Sequence, residues 1–243
     1  MRTANPALND NVFTVEGTYG NVMTLQGTVM KTGILLVLVV AGAAFAWTQV
    51  ANNPQSAPTF IIAGLVVGLI LAMVTIFKKT AAPYTSPVYA LAEGVFLGAL
   101  SLIFETHYPG IVPQAVGITF GTLVALLAAY SSGLIRATEN FKLGVVAATG
   151  GICLVYLVSI VLNMFGSGIP YIHGSGWIGI GFSLFVVVIA SLNLVLDFDF
   201  IENGVERGAP KYMEWYAAFG LLVTLVWLYI EILRLLSKLR GRN

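Results

Sequence analysis

Charged residues are scarce in this chain. Of its 243 residues only 9% are charged, whereas 58% are hydrophobic, and the mean hydropathy is +0.88. A soluble domain carries about 25% charged and roughly 45–50% apolar residues. A water-soluble globule of this length could not cover its surface with so few polar groups, whereas the outer surface of a membrane protein is itself apolar. The composition therefore predicts an integral membrane protein.

Several features of enzymes and of nucleic-acid-binding proteins are also missing. The net charge of +1 provides no basic field that would attract nucleic acid. Cys153 is the single cysteine, so no internal disulfide can form. His107 and His173 show no metalloprotease or metal-ligand spacing, and the sequence contains no G-x-S-x-G elbow. We therefore expect no enzyme, no cofactor and no nucleic-acid partner.

What the sequence does contain is a series of apolar segments separated by short polar breaks. Each segment approaches the roughly 20 residues that a helix needs to cross about 30 Å of hydrocarbon. Residues 33–47 and 182–196 are apolar almost throughout, whereas the strands of a membrane β-barrel alternate over about 10 residues. The predicted spans are 31–51, 58–77, 87–105, 111–132, 143–165, 176–201 and 213–236. We expect one all-α integral membrane domain of seven transmembrane helices over residues 31–243, preceded by a polar amino-terminal arm over residues 1–30.

Lysine and arginine mark an orientation, because cytoplasmic loops are enriched in both. The loops 52–57, 106–110 and 166–175 contain neither residue. The basic residues on the amino-terminal side are Arg2, Lys31, Lys78, Lys79, Arg136, Lys142, Arg207 and Lys211. This pattern predicts a multi-pass protein of the inner or plasma membrane with a cytoplasmic amino terminus. Four basic residues after position 233 would lie outside after seven crossings, unless one span is re-entrant.

Three pairs of glycines four residues apart allow close helix packing. They are Gly64 and Gly68, Gly94 and Gly98, and Gly117 and Gly121. Such pairs suit packing within one chain, or a face that binds a second copy or another membrane protein. The oligomeric state therefore stays open.

Ionisable residues inside the predicted spans are the candidates for function, since each costs about 2.5–3.5 kcal/mol at the centre of a membrane helix. All five are acids, and few basic residues lie deep enough to pair with them. They are Glu93, Asp197, Asp199, Glu202 and Glu231. This imbalance favours the handling of protons or cations.

Span six carries three of these acids. Asn193 and Asp197 are four residues apart and share a helix face, whereas Asp199 points about 200° away from Asp197 and shares its side with Glu202. We expect Asp197 to face inward, supported by Asn193, as a pH-sensing group and tentative metal ligand. Asp199 and Glu202 would lie at the cytoplasmic mouth. The alternative is that residues 197–202 are simply the polar end of the span.

For the other two acids, Glu93 and Glu231, a purely structural role is predicted as strongly as a functional one, or more strongly. Glu93, beside Gly94, suits either ion or proton sensing or a hydrogen bond to a neighbouring helix. Glu231 lies three residues before Arg234, a spacing that favours an ion pair within one helix.

These residues resemble the Bax inhibitor-1 (transmembrane Bax inhibitor motif) family, and most of all its bacterial branch. The resemblance rests on seven spans, an acid at the end of the sixth, and three short motifs. They are Asn-Pro-Ala-Leu at 5–8, Gln-Gly-Thr-Val at 26–29 and Leu-Arg-Leu-Leu at 233–236.

The resemblance implies a central seventh helix wrapped by the other six, and a pH-sensitive calcium leak. In that family two aspartates, one each on the sixth and seventh helices, close the pore on the cytoplasmic side. The first matches Asp197, but Thr224 stands where the second is expected. Asp199, Glu202 or Glu93 would have to replace it, or this branch gates differently.

Two functions follow as expectations. The first is a passive leak for calcium or protons, in which Ca²⁺ is the transported ion. The second is a non-conducting regulator that binds another membrane protein, for example a protease or a stress-response partner, as the family resemblance also implies.

The orientation predicts a labelling pattern. Single cysteines placed at 78–86, 136–142 or 203–212 in a Cys153→Ser background should resist membrane-impermeant thiol reagents in intact cells, because those segments would face the cytoplasm. Cysteines at 52–57 should react. Labelling at 78–86 without labelling at 52–57 would reverse the orientation.

Overall fold

The computed structural model of the protein describes residues 22–165, 174 and 176–242. Within this part of the chain, seven α-helices are long and apolar enough to cross a membrane. In chain order they are α1 Leu25–Asn52, α2 Ala57–Phe77, α3 Ala82–His107, α4 Ile111–Ser131, α5 Glu139–Met164, α6 Trp177–Glu206 and α7 Met213–Arg240. Short 3₁₀ turns at Pro54–Ser56 and Lys79–Ala81 lead into α2 and α3. The predicted all-α bundle of seven transmembrane helices is confirmed.

Several helices extend beyond the predicted spans. Helix α1 begins at Leu25 instead of residue 31, because the Thr24 side chain caps it by accepting a 3.0 Å hydrogen bond from the Gly27 amide. Helix α3 begins at Ala82 and includes Pro87, the predicted start of the span. Helix α6 runs to Glu206, past the predicted end at 201. Of the predicted amino-terminal arm, residues 1–21 lie outside the described part of the chain.

Helix α7 forms the centre of the bundle. In its most apolar segment 61% of the residues are buried, against between 17% and 44% in the other six helices. It packs directly against α1, α3, α4 and α6. Helix α2 packs mainly against α3, and α5 packs mainly against α6. The expected central seventh helix is therefore present, with α2 and α5 at the periphery.

Glycines bring α1, α2 and α3 together. A Cβ atom at Gly94 or Gly98 would run into the backbone of α1, and one at Gly64 would lie 2.7–2.8 Å from the backbone of α3. These positions require glycine for packing within the chain. A Cβ at Gly117 or Gly121 would meet no atom within 4 Å, so the pair on α4 plays no such part.

A buried carboxylate holds the start of α1 against the start of α7. Glu214 is fully buried and accepts hydrogen bonds from the Thr24 amide at 2.9 Å and the Thr24 hydroxyl at 2.8 Å. It also forms ion pairs with Lys31 and, at 3.4 Å, with Lys211. We call this end of the bundle the N side.

The other end of α7 lies at the opposite end of the bundle. The Arg240 guanidinium donates to the carbonyl oxygens of Tyr108 at 3.3 Å and Pro109 at 2.7 Å, and to the Gln114 side chain at 3.0 Å. This end, which contains the α3–α4 loop, is the C side. Because α7 runs from the N side to the C side, the two ends of the described chain lie at opposite ends of the bundle, as seven full crossings would place them.

The Glu214 cluster predicts a stability difference. In Glu214→Gln the Lys31 ammonium stays largely buried without its counter-charge, which should lower the free energy of unfolding by about 3–5 kcal/mol. In the control Glu139→Gln, an ion pair between Lys142 and a side chain that is 92% exposed is lost, with an expected effect of about 0–1 kcal/mol. Unfolding of the purified protein in mild detergent, followed by tryptophan fluorescence, measures both variants. Equal effects would contradict the assigned role of Glu214.

Candidate functional site

Two of the predicted acids line one cavity in the N-side half of the bundle. The cavity has a volume of about 520 Å³ and lies between α2, α3, α6 and α7. Glu93 and Asp197 lie in its wall, and most of the other lining residues are apolar. Leu69 and Phe200 at its rim are exposed, so the cavity opens at the side of the bundle between α2 and α6.

Asp197 is incompletely hydrogen-bonded. Among the described residues, its Oδ2 atom is the one buried side-chain oxygen or nitrogen without a hydrogen-bond partner. The Thr224 hydroxyl on α7 lies within hydrogen-bonding reach of the same carboxyl group and 3.4 Å from the Gly220 carbonyl oxygen. A hydroxyl has one proton to donate. If the Thr224 hydroxyl donates this proton to the Gly220 carbonyl oxygen, its own oxygen can only accept a hydrogen bond from Asp197. Asp197 can donate one only when its carboxyl group is protonated.

Glu93 lies on α3 and has a closer set of neighbours. Its side chain is buried, and the Tyr89 hydroxyl, one turn earlier, lies within hydrogen-bonding reach. A Cβ at Gly68 on α2 would be 2.8 Å from a Glu93 carboxyl oxygen, so the missing side chain at Gly68 makes room for the carboxyl group. The spacing of four residues between Tyr89 and Glu93 is the one feature of the sequence that could have predicted this neighbour.

Asp199 and Glu202 lie elsewhere. Asp199 forms an ion pair of 2.8 Å with Lys142 on α5, and Glu202 accepts a hydrogen bond from the Tyr130 hydroxyl on α4. Neither residue lines the cavity. Asp197 and Asp199 thus contact different neighbours, as their separation of about 200° around the helix predicts.

Asn193 does not support Asp197. Its amide donates to the Thr149 hydroxyl on α5 at 2.8 Å and to the Ile189 carbonyl oxygen at 2.9 Å. Four residues leave two side chains about 40° apart around a helix. That offset is enough for Asn193 to reach α5 while Asp197 lies against the cavity.

Glu231 forms the predicted ion pair with Arg234, at 2.9 Å. The Tyr156 hydroxyl on α5 donates to the same Glu231 oxygen at 2.9 Å and accepts from Arg234 at 2.7 Å. This closed network lies in the C-side half and fastens α5 to α7.

Sequence reasoning missed two buried charges. They are Glu214, at the start of α7, and Lys238, near its end. The Lys238 ammonium donates to the Gly179 carbonyl oxygen at 3.0 Å and to the Ser183 hydroxyl at 2.8 Å. One feature of the sequence could have predicted the ion pair of Glu214. Lys211 lies three residues earlier, a spacing that suits an ion pair, and Glu214 stands at the start of an apolar run.

A family profile described as Bax inhibitor 1 like matches residues 5–241. The chain belongs to this family. No curated protein and no solved structure matches it.

In this Bax inhibitor 1 like chain, the residues described include no group of three or more His, Cys, Asp or Glu side chains that could hold a metal ion. The cavity offers two carboxyl groups, whereas a calcium site takes 6–8 oxygen ligands. The chemistry of the donor set therefore does not fit a resident metal centre, and Glu93 is the one other acid among the described residues that line the cavity with Asp197.

Proposed function

We propose that this Bax inhibitor 1 like protein is a passive, non-enzymatic leak for calcium or protons, and that the protonation state of Asp197 controls it. The observation that carries the proposal is the buried Asp197 oxygen that lacks a partner beside a cavity. Asp199, Glu202 and Glu231 all have partners on neighbouring helices. A carboxyl group without a fixed partner is free to bind a proton or a passing cation.

Glu93 is the residue that we propose in place of the missing second aspartate. It lines the same cavity as Asp197 but comes from α3 instead of α7. Thr224 occupies the expected position on α7 and offers Asp197 a hydroxyl group. In this arrangement two carboxyl groups still border one space, and an uncharged hydroxyl group stands where the second charge is expected.

The arrangement suits a closed state. Toward the C side of the cavity, α6 and α7 are joined by fully or nearly fully buried apolar side chains. They include Leu194, Leu222, Leu225 and Leu228. Ionisation of Asp197 would leave a buried negative charge without a partner, which costs several kcal/mol. Separation of α6 from α7 would relieve that cost by admitting water or a cation.

A cavity with only two carboxyl groups suits the passage of an ion better than its tight binding. Ionised carboxyl groups are hard oxygen ligands for Ca²⁺. Conduction requires sites that bind an ion strongly enough to admit it and weakly enough to release it. Two carboxyl groups from α3 and α6, the only acids among the described residues that line the cavity, suit that requirement.

We also propose that the N side faces the cytoplasm. Most of the basic residues outside the bundle core lie on this side, in agreement with the positive-inside rule. Lys79 lies 5.5 Å from the centre of the Tyr216 ring, which borders the cavity. The two cavity acids would then respond to cytoplasmic pH.

A comparison of two aspartates on α6 tests the proposal. Asp197→Asn keeps the shape of the side chain but removes its titration, so the pH dependence of calcium or proton flux should flatten between pH 5 and pH 8. Asp199→Asn is the matched control. It breaks an ion pair near the end of the helix and should change the flux about twofold, less at high salt. Purified protein in liposomes with an entrapped calcium or pH indicator gives both measurements.

Two results would overturn the proposal. If Asp199→Asn abolishes the pH response while Asp197→Asn keeps it, the controlling carboxyl group has been assigned wrongly. If the wild type carries no flux at any pH although it is folded, the non-conducting regulator becomes the better account.

A further inference from the structure

A second cavity lies in the opposite half of the bundle and is almost wholly apolar. It is a cleft of about 300 Å³ with α1 and α4 as its walls and residues of α3 and α7 as its floor. Val40 on α1 and Phe120 on α4, at its rim, are 65% and 42% exposed. The cleft therefore opens sideways, toward the space that the bilayer fills. Its volume is at the lower end of the range of about 300–1,000 Å³ for ligand pockets.

The few hydroxyl groups in the cleft are already bonded within the protein. The Ser101 and Tyr229 hydroxyls are 2.7 Å apart and bond each other. The Thr119 hydroxyl donates to the Ala115 carbonyl oxygen at 2.8 Å. A polar occupant would gain little here, whereas an apolar chain would meet no group that lacks a partner.

The length of the cleft matches one leaflet. Along α1 its lining runs from Leu36 to Trp47, which is about 16 Å at 1.5 Å per residue. The hydrocarbon core is about 30 Å thick, so the cleft extends from near the middle of the membrane to its C-side boundary. Trp47 lies five residues before the end of α1, at the depth where tryptophan side chains meet lipid headgroups.

The size and lining of the cleft suit a hydrocarbon chain. Its volume of about 300 Å³ is small for a ligand pocket, and its lining is almost wholly apolar. Acyl chains are the apolar groups that fill the bilayer around the bundle at this depth.

A positive charge lies beside the C-side end of the cleft. Val112, in the first turn of α4, lines the cleft, and Gln114 two residues later binds Arg240. The Arg240 guanidinium uses three hydrogen bonds to protein acceptors and retains N–H donors for another. A phosphate group of the C-side leaflet lies at this depth and can accept from the remaining Arg240 donors. The Glu105 carboxylate at the same end already accepts hydrogen bonds from the Gly110 amide at 2.6 Å and the Val112 amide at 3.0 Å.

We propose that the cleft between α1 and α4 is a lipid site, occupied by one acyl chain of a phospholipid from the C-side leaflet whose phosphate lies near Arg240. The bound chain fills space between two helices that do not pack against each other and so supports α4 against α7. This site lies in the other half of the bundle from Asp197, and it does not depend on the proposed leak.

Photo-crosslinking tests the site. Full-length protein is reconstituted in vesicles of phosphatidylethanolamine and phosphatidylglycerol that contain a trace of phosphatidylglycerol with a diazirine in the middle of one acyl chain. After irradiation, mass spectrometry should find the label concentrated in residues 36–47 and 112–120. In Ala44→Phe, which fills the cleft from α1, this labelling should fall about tenfold, equivalent to about 1.4 kcal/mol.

Ala41→Phe is the matched control, because Ala41 is also exposed on α1 but does not line the cleft. It should leave the labelling unchanged. Val116→Phe repeats the test from α4, with Val124→Phe as its control, in case Ala44→Phe does not fold. Equal labelling in cleft and control variants, an even distribution around the bundle, or crosslinks between two copies of the chain at the cleft would each overturn the proposal.

Discussion

The cost of placing charge in hydrocarbon is the constraint on which the rest of this structure depends. An ionisable side chain in the middle of a membrane needs a partner. Because α7 lies at the centre of the bundle, its charged side chains can reach partners on the neighbouring helices or on α7 itself. Glu214 pairs with Lys31 on α1, and Glu231 pairs with Arg234 and Tyr156. These contacts fasten α1 and α5 to opposite ends of α7, so the same interactions that satisfy the charges also hold the bundle together.

Against that background Asp197 is the exception. Its neighbour on α7 is Thr224 rather than a base, and one of its oxygens is buried without a partner among the described residues. Groups that are kept at a cost to stability are often the ones needed for function. The cavity beside Asp197 provides space for a proton donor or a cation to approach, and Glu93 provides a second carboxyl group at its wall.

The two halves of the bundle are built differently. The N-side half contains the cavity with two carboxyl groups, whereas the C-side half contains the apolar cleft and closed polar networks. Between them α7 is packed with leucines such as Leu222 and Leu225. In the proposed leak an ion would have to cross this apolar layer, so the barrier to conduction would lie at the middle of the membrane.

The sequence was sufficient wherever one helix determines the outcome. Hydropathy predicted the seven spans, and helical geometry predicted that Asp197 and Asp199 have different neighbours and that Glu231 pairs with Arg234. The bonds of Thr24 to Glu214 and of Asn193 to Thr149 could not be predicted, because they join residues 190 and 44 positions apart.

The same limit applies to the cavity. That Glu93 and Asp197 border one space depends on how α3 and α6 pack around α7, and no spacing within a single helix encodes that packing.

The most direct test of the account is whether the buried Oδ2 atom of Asp197 lacks a stabilising partner in the folded protein. If it does, Asp197→Leu removes a polar atom that is buried at a cost, and the unfolding midpoint in detergent should equal or exceed that of the wild type. Glu231→Leu, which leaves Arg234 without its counter-charge, should lower the midpoint in the same assay. A fall for Asp197→Leu as large as that for Glu231→Leu would show that Asp197 makes a stabilising contact, and would contradict its assignment as the free carboxyl group of the bundle.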